Sequence, residues 1–183
     1  MATDIELLIR SRVDPSAFDA IYERHARYVH SYLARRLGSG QTEDLVSEVF
    51  VRALEARRRA IPHVSGSALP WLYGIARNVL REHFARKPQA HATERADGFE
   101  WSTIDARLDA SSLAPEIRRA IAGLSGSERD VLLLVSWEQL TISEAAEALG
   151  ITAGAARTRL HRARTRAAAA LAKSHTYEPQ EPR

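Results

Sequence analysis

The sequence predicts an all-α protein built as two small helical domains joined by a flexible linker. Three observations carry that prediction. Apolar residues recur at spacings of three and four along most of the 183 residues. Ala, Leu, Arg and Glu are frequent and β-branched runs are few, a composition that favours helix over strand. One stretch, Pro88 to Ser112, breaks the pattern: it is polar and slightly acidic, with Glu94, Asp97, Glu100, Asp105 and Asp109 and one aromatic pair, Phe99 and Trp101. Nothing in it would hold a core, so it reads as a linker.

The elements follow in chain order. Asp4 is expected to cap a short helix reaching about Val13. Pro15 suits the first turn of a longer helix running to Leu37, whose apolar stripe is Phe18, Ile21, Tyr22, His25, Val29, Leu33 and Leu37. Gly38 to Gln41 is a turn. Thr42 is expected to cap a third helix, with Glu43 and Asp44 near its positive end. Leu45, Val46, Val49, Phe50, Ala53 and Leu54 give that helix a wide apolar face, so Asp44, Glu48 and Arg52 point outward. Pro62 to Pro70 is a loop of Gly, Ser and Pro. Trp71 to Arg86 is a fourth amphipathic helix, ended by Lys87-Pro88, because the residue before proline is pushed out of the helical region.

After the linker, Pro115 opens a helix through Gly123. Ser125 with Glu128 forms an S-x-x-E capping box ahead of a helix over Val131 to Trp137. Thr141 with Glu144 forms a second box, opening a helix over Ile142 to Leu149. Gly150 stands where the chain must turn, and Thr152 can cap the helix that follows. That last helix carries Ala156, Leu160, Ala163, Ala167 and Leu171 as an apolar stripe. Arg157, Thr158, His161, Arg162 and Thr165 fall on the opposite side, Arg159 lies among them in sequence, and no acid occurs between Glu147 and Glu178. The tail, 174–183, is expected to be disordered. The divisions are thus 1–88, 89–112, 113–173 and 174–183.

Two helices joined by a short glycine turn, the second one basic, form the helix-turn-helix signature, and its partner is the major groove of DNA. Arginine pairs bidentately with guanine O6 and N7 and also binds phosphate. The formal net charge is only +3, so the basic character is local, as a DNA-facing patch requires. With 45% hydrophobic and 27% charged residues the chain is globular rather than disordered. It has no cysteine, which excludes disulfides, Cys-based zinc sites and a thiol nucleophile. The seven histidines show no HExxH spacing, and no Gly-rich phosphate loop exists, so nothing points to an enzyme, a metal or a cofactor. No apolar run reaches the length of a membrane span and no signal peptide opens the chain, so a cytoplasmic location is expected. A stand-alone helix-turn-helix regulator with an N-terminal sensor domain accounts equally well for Leu124 to Leu171.

The order of these elements and three local strings resemble the sigma-70 family of bacterial RNA polymerase specificity subunits, and within it the small extracytoplasmic-function group. TEDLVSEVFVRAL, Thr42 to Leu54, is similar to the family's polymerase-binding helix. PWLYGIARNVLREHFARK, Pro70 to Lys87, is similar to its −10-reading helix. Leu124 to Arg166 is similar to its −35-reading region. The resemblance implies three things. Core RNA polymerase would dock on Asp44, Glu48 and Arg52 through the coiled coil of its largest subunit, with a second contact at its flap region. The −10 element would be met by Trp71, Arg77, Asn78 and Arg81 and by Ser65 and Ser67 of a loop that receives a flipped base. The −35 element would be met by Arg157, Thr158, Arg159, His161 and Arg162. An anti-sigma factor is a further partner that family habit implies. The chain departs from the pattern at Gly74, where a basic residue is common, and in a loop short of aromatics.

Overall fold

The computed structural model describes residues 2–37, 41–60, 63–86 and 114–176. The linker expectation, and residues 177–183 of the tail, lie outside the described residues. Helices α1 (Asp4–Ser11), α2 (Asp19–Ala34), α3 (Thr42–Ala56) and α4 (Leu69–Arg86) form an N-terminal bundle. Helices α5 (Ala114–Ala122), α6 (Gly126–Ser136), α7 (Ile142–Leu149) and α8 (Ala153–Thr176) form a C-terminal one. Single 3₁₀ turns at Pro15–Phe18 and Arg57–Arg59 lead into α2 and out of α3.

The helix starts are decided by side-chain oxygens that satisfy otherwise orphaned N–H groups. Both predicted capping boxes are present: Ser125 with Glu128 opens α6, and Thr141 with Glu144 opens α7. Gly150 ends α7 in the left-handed region at φ 64°, and Thr152 Oγ1 accepts from Ala155 N at 3.2 Å to start α8. Two expected caps are corrected. Thr3, not Asp4, caps α1, because Glu6 completes a capping box with it and leaves Asp4 as the first helical residue, buried. Thr42 is likewise the first residue of α3 and is buried, while Gln41 holds the cap position without capping the helix through its side chain. The helix expected from Pro15 to Leu37 is shorter, since the 3₁₀ turn precedes it and α2 ends at Ala34. The tail expectation is also corrected at its start, because α8 continues to Thr176.

Arginines close several helix ends. Arg129 is 5% exposed and donates to the carbonyls of Ile121 and Ala122 at the end of α5 and of Leu124 in the turn that follows. Arg57 donates to Ser11 O and Arg12 to Ala60 O, which ties the end of α1 to the end of α3. The apolar stripes meet as predicted. Ile21, Val29 and Leu33 of α2 pack with Val49 and Phe50 of α3 and with Leu72, Ala76 and Val79 of α4, all in one buried cluster. That cluster does not stop at the N-terminal bundle. It continues through Val131, Leu134, Leu140, Ala145, Ala146, Ala148, Ala156 and Leu160, so the two bundles share a core. The two helical domains that the sequence predicts are present, and their relative placement, which the sequence left open, is close: α7 lies directly against α4.

Candidate nucleic-acid interface

The recognition helix is presented as its sequence pattern requires. Ala156, Leu160 and Ala163 are buried, while Arg157, Thr158, His161, Arg162 and Thr165 are exposed. Arg159 is only half-buried and stands off that face. The hydroxyls of Thr158 and Thr165 donate back to the carbonyls of Gly154 and His161, so each threonine offers its methyl and an oxygen lone pair outward. Arg166 is no part of this face. Its Nη1 meets Glu128 Oε2 at 2.9 Å and ties α8 to the start of α6. Burial pushes the Glu128 carboxyl up, but bonds from Ser125 and the charge of Arg166 outweigh it and hold it below the usual range.

On α3, Asp44 is exposed as predicted, but Glu48 and Arg52 are not a free stripe. Arg52 sits between Glu48 of its own helix and Glu82 of α4, donating to Glu82 Oε1 at 2.8 Å and Oε2 at 2.6 Å. The two-pronged contact holds α3 against α4 and raises the Arg52 pKa further, chiefly through Glu82.

The expected −10 residues are split by the second bundle. Asn78 and Arg81 of α4 are exposed, and Trp71 is half-buried. Arg77 is engaged: its Nε lies 2.7 Å from Asp130 Oδ2 of α6. Ser67 Oγ accepts from Leu69 N and so helps start α4. Ser65 Oγ donates to Glu144 Oε1 of α7 at 2.8 Å. Beside it, His63 is buried, and Ser65 N–H donates to its Nδ1 at 3.1 Å. His63 Nδ1 also lies 2.9 Å from Ser65 Oγ, and its Nε2 is hydrogen-bonded to Ser143 Oγ at 3.1 Å, so the imidazole links the loop to α7. Trp71, Ile75, Asn78 and Leu149 border a cleft of about 340 Å³ along the α4–α7 seam.

Sequence reasoning missed the residues that close this seam. Glu138, between α6 and α7, has a side chain 3% exposed. It accepts from Arg35 Nη1 at 2.8 Å, Arg36 Nη1 at 3.2 Å and the Tyr73 hydroxyl at 3.3 Å. Gln139 next to it sits in the left-handed region at φ 58°, and that turn aims Glu138 at the first bundle. Arg36 also stacks over the Tyr32 ring at 3.6 Å, and Tyr32 packs on Tyr73 at 4.9 Å between centroids. Burial, offset in part by Arg36, leaves the Tyr32 hydroxyl pushed up to about 12. No motif marks a buried carboxylate whose partners lie 65 to 103 residues away in sequence.

Comparison with known proteins fits this layout. Residues 21–88 match the model of sigma-70 region 2, and residues 115–166 match that of sigma-70 region 4. The RNA polymerase sigma factor CarQ of Myxococcus xanthus is 33% identical over 152 residues, covering 80% of this chain and 84% of the relative. The chain belongs to the extracytoplasmic-function group of sigma-70 RNA polymerase sigma factors. The sigma factor SigC of Mycobacterium tuberculosis is 32% identical over 152 residues, covering 81% and 80% of the two chains. Among solved structures, CnrH bound to the cytosolic domain of CnrY superposes with a TM-score of 0.63 at 21% identity, covering 91% of this chain and 96% of that one. RpoE of Bartonella quintana, solved with the anti-sigma factor NepR, gives 0.61 at 19% identity, covering 84% and 96%. In this sigma factor, region 2 is carried by α2 to α4 and region 4 by α5 to α8, and α1 precedes the matched span. Among the described residues no helix is long and apolar enough to cross a membrane, and no group of three metal-ligating side chains occurs.

Proposed function

We propose that this sigma factor gives core RNA polymerase its promoter specificity through three surfaces, with no catalysis of its own and in the cytoplasm. The observation that carries the reading is the exposed row Arg157, Thr158, His161 and Arg162 on a capped helix-turn-helix, in a chain that also holds region 2. That row reads −35 base edges, and flanking arginines contact phosphate. Arg159, half-buried, has a supporting place at its edge. Residues 1–88 supply core docking and −10 recognition, 89–112 the connection, and 113–173 the −35 module. Asp44 on α3 meets the coiled coil of the largest polymerase subunit, while Glu48 and Arg52 shape that face through Glu82. The C-terminal module rests near the flap.

Trp71, Arg77, Asn78 and Arg81 face the −10 element, with Ser65 and Ser67 in the loop that takes a flipped base. Unstacking a base costs a few kcal/mol, which that surface must offset. Arg77 and Ser65 are bonded to α6 and α7. Promoter binding on this reading requires the bundles to part, and core polymerase, by holding regions 2 and 4 at separate sites, supplies that separation. An anti-sigma factor that favours the closed form would oppose it.

The test is reconstitution. Purified protein is mixed with bacterial core polymerase, captured at stoichiometry, and used for run-off transcription on genomic fragments. Stoichiometric binding and new, defined start sites are expected. Tight specific DNA binding by the protein alone, without core binding, would replace this reading with a stand-alone regulator.

A further inference from the structure

The loop that opens α4 is held from two sides. From the C-terminal bundle, Ser143 and Glu144 of α7 meet His63 and Ser65. From the N-terminal bundle, a buried carboxylate holds it. Asp4 Oδ2 accepts from the Ala68 backbone N–H at 2.9 Å and from His25 Nε2 at 2.6 Å, and Asp4 Oδ1 accepts from Arg24 Nη1 at 2.9 Å. The Asp4 side chain is 9% exposed, His25 10% and Arg24 24%. Ala68 is fully buried, and α4 begins one residue later. A carboxylate at that point satisfies an amide that has no helical partner and sits at the positive end of an 18-residue helix. Burial pushes Asp4 upward, but the bonds from His25, Ala68 and Arg24 outweigh it, and the group stays ionised well below the usual carboxylate range.

The rest of the loop is short and self-bonded. Gly66 N–H donates to His63 O at 2.8 Å, with Gly66 at φ 82°, and Val64 stands 95% exposed at the tip. When α7 leaves, the His63–Ser143 and Ser65–Glu144 bonds go with it. The Asp4 bonds lie wholly within the N-terminal bundle and stay.

We propose that Asp4, anchored by Arg24 and His25, is a positioning residue for −10 strand capture: it fixes the Ala68 amide and thereby keeps the 63–68 loop in shape once the C-terminal bundle has moved away. The proposal rests on the reading that this loop receives a −10 base. It gives α1, which lies ahead of the matched region, a role in promoter opening.

The test uses the full chain in holoenzyme. Because the protein has no cysteine, Val64→Cys creates a unique site for a nitroxide label. Asp4→Asn is then compared with the parent in three measurements: label mobility with core bound, affinity for core, and affinity for duplex against forked promoter DNA with an exposed non-template −10 strand. The promoter is one recovered by run-off transcription. The expected result is a sharpened nitroxide spectrum, core and duplex affinities within about twofold of wild type, and at least a tenfold loss on forked DNA. A lower melting temperature with unchanged mobility and an unchanged fork-to-duplex ratio would make Asp4 a stability residue only and overturn the proposal. Where Asp4→Asn is unfolded at assay temperature, Arg24→Gln, which removes the most exposed donor alone, is read against the same two outcomes. If the wild-type holoenzyme itself gains nothing from an exposed −10 strand, the loop reading fails, and the Asp4 proposal with it.

Discussion

Gly74 of α4 faces the backbone of Ala148 in α7 so closely that a Cβ at residue 74 would stand 3.2 Å from the Ala148 carbonyl oxygen. Glycine inside a helix costs roughly 0.5–1 kcal/mol relative to alanine. Here the missing side chain lets two helices of different bundles touch.

Gly74→Arg should therefore open the molecule. A Cβ at residue 74 would press on the Ala148 carbonyl oxygen at 3.2 Å and force α7 to give way, while the open form gains helix propensity. Small-angle scattering should give a radius of gyration several ångströms larger for the variant than for the wild type, against about 16 Å for a fully compact chain of this length. Gly74→Ala should shift the balance less. An unchanged radius for Gly74→Arg would show that the seam tolerates bulk.

Glu138→Gln should weaken the same seam from its centre. The change removes the charge that Arg35, Arg36 and Tyr73 meet in a site 3% exposed. Removing one partner of a buried pair costs about 3–5 kcal/mol. Urea denaturation should show a stability loss of that order and a first transition belonging to the C-terminal bundle. A single transition within 0.5 kcal/mol of wild type, a change typical of exposed sites, would count against a buried lock.

On the recognition helix, Arg162→Ala should lower affinity for the −35 element by about 1–3 kcal/mol and relax preference at one base position. Fluorescence anisotropy of holoenzyme on point-variant promoters, repeated across salt concentrations, distinguishes base reading from phosphate contact. A uniform loss with a shallower salt slope would reassign Arg162 to the backbone.

On α3, Asp44→Ala and Arg52→Ala should behave differently. Asp44 is exposed, so its loss should weaken core binding with the melting temperature nearly unchanged. Arg52 joins Glu48 to Glu82, so its loss should lower the melting temperature and loosen α3 on α4 before core binding is considered. Equal effects of both on core affinity, with equal stability, would restore Arg52 to the docking face.

Much of this was legible from the chain alone because the signals are local. The helix-turn-helix could be read from Thr141, Glu144, Gly150 and Thr152, since caps and left-handed turns depend on neighbours within four residues. The exposed arginines of α8 and the buried stripe of Ala156, Leu160 and Ala163 followed from the helical period. Errors arose where two residues of similar chemistry competed, as Thr3 and Asp4 did for one cap, and a third partner decided between them. Arg52 and Arg77 were correctly placed on their helices. Their ion-pair partners, Glu82 and Asp130, belong to other elements, and no periodicity within α3 or α4 points to them.

The sequence by itself determined the helices, the two modules and the exposed basic row of α8, because hydrophobic period, caps and charge act over one or two turns. Only the tertiary structure decided that the modules close on each other, that Glu138 and Gly74 seal them, and that Asp4 holds the start of α4. Those relationships join residues separated by 64 to 103 positions. They depend on shape and desolvation at a surface that exists only after both bundles have folded.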